Sequence, residues 1–432
     1  MNEQHHHHNE FYGLGIAPAL LQILSQLNFK TPTPIQAQAI PIGIEGKDIV
    51  GIAQTGTGKT LAFGIPVIQR LAQIKGKALI VLPTRELVLQ VEEVLRTIGK
   101  RIRLRTAVLI GGAPMGPQLH SLSANPHIII ATPGRLIDHL NQKNIRLNNV
   151  SIVVFDEADR MLDMGFAPQV KKIFQALPDA SKRQTMLFSA TMPPEIMEIA
   201  VTHMKLPVRV EIAPSGTTVE RVTQELFIVP RDQKLGLLKK MLETYHGSAL
   251  IFTRTKHVAK KIVRQIRALG FSAAEIHSNR TLSQRKDALQ GFKSGKYRVL
   301  VATDIASRGI DVVGIELVLN FDLPATSDDY VHRIGRTARA GAVGHAITFA
   351  MPGEQREVRA IENLIRKRLP ISKLPELPKL NIPEFFPSSE RRLHSISPPF
   401  RGGVRGGGSG RPYHPRRPRN PHQRFHPRHP RR

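Results

Sequence analysis

A glycine-rich run near the start of the chain has the composition of a phosphate-binding loop. Residues 53–60 read AQTGTGKT, after a short apolar stretch and before a run compatible with a helix. Gly56 and Gly58 allow backbone N–H groups to turn toward one point, and the N-terminus of the following helix adds a favourable dipole. Lys59 would then reach the β and γ phosphates of a nucleotide, and Thr60 would ligate Mg²⁺. The alternative, an ordinary glycine turn, fits this strand-loop-helix setting less well.

Two acidic side chains follow another apolar run. Residues 152–155 lead directly into Asp156 and Glu157. Asp156 can hold Mg²⁺ through water, and Glu157 projects differently, so that it can orient or deprotonate an attacking water. The alternative is a solvated acidic turn after a strand. Together with the glycine-rich run, this pair predicts a site that hydrolyses a nucleoside triphosphate.

Arginines late in the chain could complete such a site. Residues 332–339 read HRIGRTAR. Arg336 and Arg339 are three residues apart, so on a helix they would share a face and point together at one γ-phosphate. An arginine that meets the charge developing in phosphoryl transfer is worth about 10³ to 10⁵ in rate. Without the first two motifs, an arginine-rich helix would more often be a solvated surface.

Composition narrows the class of protein. The chain has 432 residues, 62 Lys and Arg, 34 Asp and Glu and no Cys, for a formal charge of +28, which predicts a polyanionic partner. The lack of Cys excludes disulfides, thiolate nucleophiles and Cys-ligated metals. No apolar run is long enough to span a bilayer and residues 1–10 lack a secretory signal, so we expect a cytoplasmic protein. The run His5 to His8 could bind a metal but is more often low complexity or part of a tag.

The C-terminal segment concentrates the positive charge. Residues 391–432 contain 12 Arg, no Lys and no acidic residue, together with 8 Pro and 6 Gly. Because this segment has too few apolar residues to bury a core, we expect it to be disordered. Prolines at 370, 375, 378, 383 and 387 favour an extended connector before it.

The remaining chain must supply the elements that position these residues. Short β-branched runs alternate with helical stretches in two series, which predicts an α/β fold with two parallel-sheet domains. The strands expected in the first series are 78–83, 106–112, 127–133, 151–156 and 184–191, and those in the second are 248–255, 297–304, 315–322 and 345–350. The predicted organisation is a disordered N-terminus (1–10), a first domain (11–206), a linker (207–221), a second domain (222–369), a connector (370–390) and a disordered tail (391–432).

Taken together, residues 11–368 resemble the DEAD-box ATP-dependent RNA helicases of helicase superfamily 2, and Asp156 to Asp159 spell the family's name. The resemblance implies two tandem RecA-like domains, ATP and Mg²⁺ as cofactors, and RNA bound without sequence preference. It covers about 360 residues and some ten motifs in the family's order. Two positions depart from the commonest form, Val88 and Ala338, and neither removes a functional group.

The resemblance assigns roles residue by residue. It implies adenine recognition by Phe29, Thr33 and Gln36 in a segment that begins at Phe11, phosphate binding by Ala53, Gln54, Thr55, Gly56, Thr57, Gly58, Lys59 and Thr60, and further ATP contacts by Gly309 and Asp311. It implies coupling of hydrolysis to unwinding by Asp159, Ser189, Thr191 and His332. It implies RNA contacts by Pro83, Thr84, Arg85, Gly111, Gly112, Thr132, Pro133, Gly134, Arg135, Thr253, Arg254, Gln284, Arg285, Thr303 and Asp304. Such strand ends and turns suit phosphates better than base edges.

Other functions share part of this pattern. A DNA translocase would share the phosphate loop and arginines, but the Gln36 segment and the acidic motif argue against it. A non-enzymatic RNA clamp would tolerate loss of catalytic groups, and here they are present. Strand annealing driven by the tail stays open, since 401–403 and 405–407 are RGG-type segments that track phosphates. These motifs do not encode which RNA is bound, whether the task is ribosome assembly, RNA decay or cold adaptation, or the oligomeric state.

Overall fold

The computed structural model describes residues 10–54, 56–212, 222–304, 312, 314–337 and 344–378. Two parallel β-sheets, one in each half, lie within these residues. The predicted α/β fold with two tandem parallel-sheet domains is confirmed. The run His5 to His8 and the tail 391–432 lie outside the described residues, so their predicted disorder stays a prediction.

The first sheet has seven parallel strands in the order β3-β4-β2-β5-β6-β1-β7. The strands are β1 (Ile49–Ile52), β2 (Lys77–Val81), β3 (Thr106–Leu109), β4 (Ile128–Ala131), β5 (Val150–Phe155), β6 (Gln184–Ser189) and β7 (Val208–Glu211). The helices of this half are α1 (Pro18–Gln26), α2 (Pro34–Ile44), α3 (Lys59–Leu71), α4 (Arg85–Gly99), α5 (Met115–Ser123), α6 (Pro133–Asn141), α7 (Ala158–Asp163), α8 (Ala167–Ala176) and α9 (Pro194–His203).

The second sheet has six parallel strands in the order β10-β11-β9-β12-β13-β8. The strands are β8 (Val222–Ile228), β9 (Ala249–Phe252), β10 (Ala273–Ile276), β11 (Val299–Ala302), β12 (Leu317–Asn320) and β13 (Gly344–Ala350). Helices among the described residues of this half are α10 (Lys234–Thr244), α11 (Lys256–Ala268), α12 (Leu282–Lys293), α13 (Ser327–Ile334) and α14 (Gln355–Ile365).

Burial on both faces explains why the central strands read as unbroken apolar runs. In β5, Ile152 and Val154 pack in the core that includes α3 and α4, whereas Val153 and Phe155 pack in the core on the other face with α8. Alternate side chains of a strand point to opposite faces of the sheet. A strand with helices packed on both faces therefore buries every side chain and favours apolar residues throughout.

The strands end earlier than the apolar runs that predicted them. The run 106–112 gives β3, which ends at Leu109, and the run 184–191 gives β6, which ends at Ser189. The remaining residues of each run form turns at the carboxyl edge of the sheet. Since all neighbouring strands are parallel, these turns meet at one edge, where α/β folds bind ligands.

The structure corrects the start of the predicted linker 207–221. β7 lies within that range, yet it pairs in parallel with β1, in register from Ile49 with Val208 to Ile52 with Glu211. The first sheet therefore extends to Glu211. Residues 213–221 lie outside the described residues.

The predicted connector 370–390 begins with an isolated parallel bridge to the second sheet, between Ile371 and Leu226. Leu226 N donates to Pro370 O at 2.8 Å, and Ser372 N donates to Leu226 O at 2.9 Å. Residues 370–372 thus contact β8. The predicted connector can leave the second domain only after Ser372, later than the prolines suggest. Among the described residues, no helix combines the length and the apolar character needed to cross a bilayer.

Candidate active site

The phosphate loop is built by one glycine conformation and one buried lysine. Gly58 has φ +88° at the start of α3, and a Cβ there would lie 2.3 Å from Gln36 Nε2, so that only glycine fits. Lys59 is 5% exposed, and its Nζ donates to Ala53 O at 3.0 Å and lies 3.7 Å from Asp156 Oδ1. The cation is thus held between the loop and the acidic motif.

Other described residues of the loop form its turn and the start of the following helix. Thr57 Oγ1 donates to Gln54 O at 2.7 Å, which closes the turn. Gly56 has φ +88°, and Thr60 is in the first turn of α3. Thr55 lies outside the described residues.

The acidic motif follows β5, next but one to β1 in the sheet. Burial raises the pKa of Asp156 to about 6. The positive charge of Lys59 opposes this rise, and the negative charge of Glu157 adds to it. Asp156 Oδ1 accepts the Glu157 N–H at 2.9 Å. Glu157 is buried and has φ +53°, a conformation costly for a residue with a side chain and frequent at functional sites. Both residues therefore lie at the carboxyl edge of the sheet, where the carboxylate of Asp156 faces Lys59.

The predicted coupling motif contacts the acidic motif directly. Asp159 Oδ2 accepts hydrogen bonds from Ala190 N at 3.1 Å, from Thr191 N at 2.9 Å and from Thr191 Oγ1 at 3.0 Å. Ser189 Oγ accepts the Asp159 N–H at 3.3 Å. Since Ala53 N also donates to Ser189 O at 2.9 Å, the turns after β5, β6 and β1 form one connected group.

The adenine-recognition segment is tied to the phosphate loop by one amide. Gln36 Oε1 accepts the Thr33 N–H at 3.0 Å, and Gln36 Nε2 donates to Gly58 O at 2.9 Å. The amide predicted to read adenine is thus already engaged on both sides within the chain. Phe11 is buried, and Phe29 packs at the edge of the same core.

Arg336, the described member of the predicted arginine pair, does not lie on the helix that precedes it. α13 ends at Ile334, and Arg336 lies in the turn that follows, where its N–H donates to Arg333 O at 3.1 Å. Thr337 Oγ1, one residue further, donates to Ile315 O in the loop before β12, and this bond holds the turn against the second domain. Arg336 is 3% exposed. Arg339 lies outside the described residues, so the geometry of the pair stays a prediction.

A buried ion pair joins the two halves next to the acidic motif. Arg160 Nη1 lies 3.3 Å from Asp329 Oδ1, and the two side chains are 2% and 9% exposed. Arg160 directly follows Asp159 on α7, and Asp329 lies on α13, three residues after Thr326, which caps the helix. The helix that precedes Arg336 is thereby attached to the element that follows Glu157.

The predicted RNA-contacting residues of the first half gather at the carboxyl ends of β2, β4 and β3, which are adjacent in the sheet. They are Pro83, Thr84, Arg85, Gly111, Gly112, Thr132, Pro133, Gly134 and Arg135. A Cβ on Gly112 would clash with Arg85 Nη1 at 2.2 Å, so glycine lets the guanidinium lie on the backbone. Arg135 Nη1 donates to Ala113 O at 3.0 Å. The three turns thus form one surface beside the nucleotide site.

The corresponding residues of the second half are held by other side chains. Arg254 N donates to Asp322 Oδ2 at 3.1 Å, and Gln284 caps α12 through Thr281. Asp304 accepts two hydrogen bonds from Arg333, at 2.6 and 2.8 Å. Thr253 and Thr303 follow β9 and β11, His332 lies on α13, and Gly309 and Asp311 lie outside the described residues.

The two halves also meet through a predicted RNA contact. Arg285 Nη2 on α12 lies 2.9 Å from Glu86 Oε2 on α4, and both side chains are largely buried. Arg285 therefore contacts the first half at Glu86, the residue that directly follows Arg85.

Comparisons with known proteins agree with this geometry. Residues 33–199 match the family model of the DEAD/DEAH box helicases, and residues 233–341 match that of the helicase conserved C-terminal domain. The DEAD-box ATP-dependent RNA helicase CshA of Bacillus subtilis (strain 168) is 42% identical over 370 residues, which are 85% of this chain and 74% of the relative. This chain belongs to the DEAD-box helicase family.

Relatives of this DEAD-box protein span bacteria, archaea and fungi. The ATP-dependent rRNA helicase RRP3 of Debaryomyces hansenii is 42% identical over 364 residues, 83% of this chain and 76% of the relative. The solved structure of S. cerevisiae Dbp5 bound to RNA and ADP BeF3 matches with a TM-score of 0.76 and 28% identity, over 84% of this chain and 95% of that one. A DEAD box protein from Methanococcus jannaschii matches with a TM-score of 0.52 and 35% identity, over 84% and 99%.

Three residues of this DEAD-box protein were missed in the sequence. Arg333 is 2% exposed and also donates to Asn320 Oδ1 at 3.1 Å, so it fixes the turn that carries Arg336. The ion pair of Arg160 and Asp329 was missed as well. Arg160 directly follows Asp159, and Arg333 directly follows His332. This proximity to motif residues was the one sign in the sequence that they take part in the site. Nothing in the sequence pairs Arg160 with a position 169 residues away.

Proposed function

We propose that this DEAD-box protein is an ATP-dependent RNA helicase that binds single-stranded RNA across both domains and locally unwinds short duplexes or remodels ribonucleoprotein. The contact of Arg160 with Asp329 supports this proposal most, because it joins α13, the helix that leads to Arg336, to α7, which begins within the acidic motif. The neighbour Dbp5 is described with RNA and ADP BeF3, and relatives are named RNA helicases. The test is steady-state ATPase activity of the full chain with and without single-stranded RNA.

Each group in the site has a task in the conversion of ATP and water to ADP and phosphate. Lys59 binds the β and γ phosphates, Glu157 accepts the proton of the attacking water, and Arg336 with Arg339 meets the charge that develops on the γ-phosphate. Asp156 stays ionised in the loaded site. Since the arginines come from the second half, closure of the two halves limits hydrolysis.

Mg²⁺ fits the donor set of this site. Asp156 offers a buried carboxylate whose pKa is raised by burial, and Thr60 offers a hydroxyl in the adjacent helix turn. Mg²⁺ usually takes one or two carboxylates together with substrate phosphates and water, and bound there it would neutralise charge between the β and γ phosphates. No cluster of three or more His, Cys, Asp or Glu that could hold a metal by itself occurs in the described part of the chain.

The raised pKa of Asp156 predicts proton release when Mg·ATP binds. At pH 6 about half of this carboxyl group is protonated in the free protein, so ionising it for the metal releases about half a proton per nucleotide. The release should vanish above about pH 8, where the group is already ionised. Calorimetric titrations in buffers with different ionisation enthalpies measure it, and Asp156→Asn should show only the release that comes from the nucleotide. Equal release by both proteins would contradict the assignment.

RNA binding is proposed through phosphates rather than bases. The clustered turns offer N–H, hydroxyl and guanidinium groups, led by Arg85 and Arg135 in the first half and Arg254 and Arg285 in the second. Because RNA and ATP each contact both halves, each ligand lowers the cost of ordering the halves for the other. If the closed path is bent, a regular duplex cannot enter it, and a few base pairs open locally.

The Arg160–Asp329 pair gives this closure a direct test. Asp329→Asn leaves a guanidinium buried without its carboxylate, which costs about 3 to 5 kcal/mol in buried pairs. We expect the RNA concentration for half-maximal ATPase activity to rise about tenfold or more. Adding Arg160→Met to the same protein should restore part of the loss, because no charge is then left buried.

An exposed ion pair provides the matched control. Arg209 Nη2 lies 2.7 Å from Glu211 Oε2 on β7, with both side chains largely solvated. Glu211→Gln should change the RNA dependence little, since exposed pairs contribute about 0 to 1 kcal/mol. If Asp329→Asn behaves like Glu211→Gln, the buried pair does not take part in closure.

The tail is proposed to tether the enzyme to structured RNA or ribonucleoprotein in the cytoplasm. Its 12 arginines have no acidic partner within 391–432. A protein ending near residue 380 should lose about 0.7 to 0.9 units of the slope of log affinity against log salt for each phosphate contact removed. Binding of a duplex-containing RNA at several salt concentrations measures this slope. An unchanged slope would assign the tail to solubility or to another partner.

A further inference from the structure

The amino edge of the first sheet carries a cleft that the nucleotide site does not use. It lies where β1, β5, β6 and β7 begin, opposite the edge that holds the phosphate loop, and it has a volume of about 710 Å³. Six of its fourteen lining residues are Lys or Arg, namely Lys47, Arg70, Lys75, Lys182, Arg183 and Lys205. The one acidic residue among the fourteen is Asp48.

Asp48 offers little of its charge to the cleft. It is 4% exposed, and its carboxylate accepts the Thr185 N–H and the Lys205 N–H, each at 2.7 Å. Burial raises the pKa of this carboxyl group, although those hydrogen bonds oppose the rise. The lining therefore keeps an excess of positive charge.

Two of the six cations have a structural task. Arg183 donates to His203 O at 2.8 Å and to Thr185 Oγ1 at 3.2 Å, and Arg70 Nη1 donates to Ile44 O at 3.3 Å. His203 and Ile44 end α9 and α2, and such terminal carbonyls need donors. Binding to helix ends thus explains why these two arginines lie in the cleft. It does not explain the lysines.

The lysines are exposed and mostly lack carboxylate partners. Lys47 lies 2.7 Å from Glu45 in a solvated pair. For Lys75, Lys182 and Lys205 the described residues place no carboxylate within ion-pair distance. Asp48 and Asp179 attract Lys205 and Lys182 from beyond ion-pair distance, yet the cleft is lined by six cations against one carboxylate, so its surface attracts anions.

The positive surface continues along the same edge beyond the cleft. Lys77 begins β2, and Arg105 and His127 precede β3 and β4. Burial, and after it Arg105, lowers the pKa of Lys77, so these two cations lie close together, whereas burial lowers the pKa of His127 and favours its neutral form. Seven strands about 4.8 Å apart give an edge about 29 Å long. An edge of this length suits an extended polyanion rather than a single small anion.

We propose that this amino-edge cleft binds the sugar-phosphate backbone of RNA that flanks the stretch held at the carboxyl edge. The inference rests on the proposed RNA helicase function and adds a second RNA site to it. Lysines without aromatic neighbours in the lining favour sequence-independent phosphate contacts over base stacking. An acidic protein segment is disfavoured because the lining provides few apolar residues to anchor side chains, namely Ile74, Leu206 and Val208.

RNA length separates the two sites experimentally. An RNA of about 10 nucleotides is of the size that a single-strand groove holds, whereas one of about 40 nucleotides can also reach the opposite edge. The full chain carrying Lys75→Gln, Lys182→Gln and Lys205→Gln should bind the long RNA about tenfold more weakly at low salt, with a slope against log salt smaller by about 2 units. Its affinity for the short RNA, and its ATPase activity with that RNA, should equal those of the unaltered protein.

The matched control removes the same charge elsewhere. Lys240→Gln, Lys293→Gln and Lys367→Gln, all exposed in the second half, should leave both affinities nearly unchanged. Unaltered long-RNA affinity in the cleft variant, or an equal loss with both RNAs or in the control, would overturn the proposal. So would a poly-glutamate peptide that binds the unaltered protein and not the cleft variant while long RNA binds both equally. Because these are binding measurements, a failure of the helicase activity itself would appear separately, as ATPase activity without RNA stimulation.

Discussion

Replacing Arg336 by alanine is expected to lower the RNA-stimulated kcat for ATP by about 10³-fold or more, the scale of an arginine that meets the transferring phosphoryl group. Arg336 is buried in the turn after α13, and Arg333 fixes that turn through Asp304 and Asn320. The side chain is thus presented by a rigid frame, and shortening it leaves the charge on the γ-phosphate unmatched. Steady-state ATPase measurements at saturating RNA test this, while binding of nucleotide without RNA should change little.

Two further variants keep this result interpretable. Arg336→Lys retains the charge and loses the planar fork, so its kcat should fall between those of the alanine variant and the unaltered protein. Arg359→Ala removes an exposed arginine from α14 and should leave kcat unchanged. If Arg336→Ala melts at the usual temperature and still turns over ATP at nearly the normal rate, the second half supplies no catalytic charge at this position.

Replacing Glu157 by glutamine is expected to lower kcat by about 10²- to 10⁴-fold while ATP and RNA still bind. Glutamine has the same shape and tolerates the position equally, so the change removes the proton acceptor alone. Glu157 sits at φ +53° with its N–H on Asp156, and the substitution leaves that backbone hydrogen bond in place. Single-turnover hydrolysis and equilibrium binding, measured on the same protein, separate the two effects.

An exposed glutamate supplies the comparison for this variant. Glu93→Gln on α4 changes the same functional group at the surface and should leave kcat as it was. Near-normal hydrolysis by Glu157→Gln would remove Glu157 from the role of base. Loss of ATP binding would instead assign it a structural role in the acidic motif.

The parts of the site that the sequence predicted are those built by neighbours in the chain. Lys59 follows Gly58, and Asp156 ends an apolar run, so strand, turn and helix could be read in order. The parallel sheets then bring the ends of β1, β5 and β6 together, and the contact of Asp159 with Thr191 follows from that order.

The parts that the sequence did not predict depend on tertiary contacts. The helix expected to carry Arg336 ends two residues earlier, and Thr337 bonds to Ile315 in the loop before β12. β7 is only four residues long and lies between Pro207 and Pro214, which predicted a linker, and its place in the sheet depends on pairing with β1. The pairing of Arg160 with Asp329 depends on how the halves meet, which no local pattern encodes.

The amino-edge cleft could not be predicted from the sequence either. Its lysines are scattered along the chain at 47, 75, 182 and 205, and each alone is an ordinary surface residue. Only the strand order places Lys182 and Lys205 beside Lys47. The net charge predicted a polyanionic partner, and the fold indicates where a second stretch of bound RNA would lie.

The central claim is that ATP is cleaved between two halves of the chain that RNA brings together. The most direct test is the steady-state ATPase rate of the full chain at saturating ATP, measured without nucleic acid, with single-stranded RNA and with DNA of the same sequence. We predict a low rate alone, a rise of at least about tenfold with RNA and a much smaller rise with DNA. A rate that is already maximal without RNA, or is raised equally by DNA, would contradict the claim.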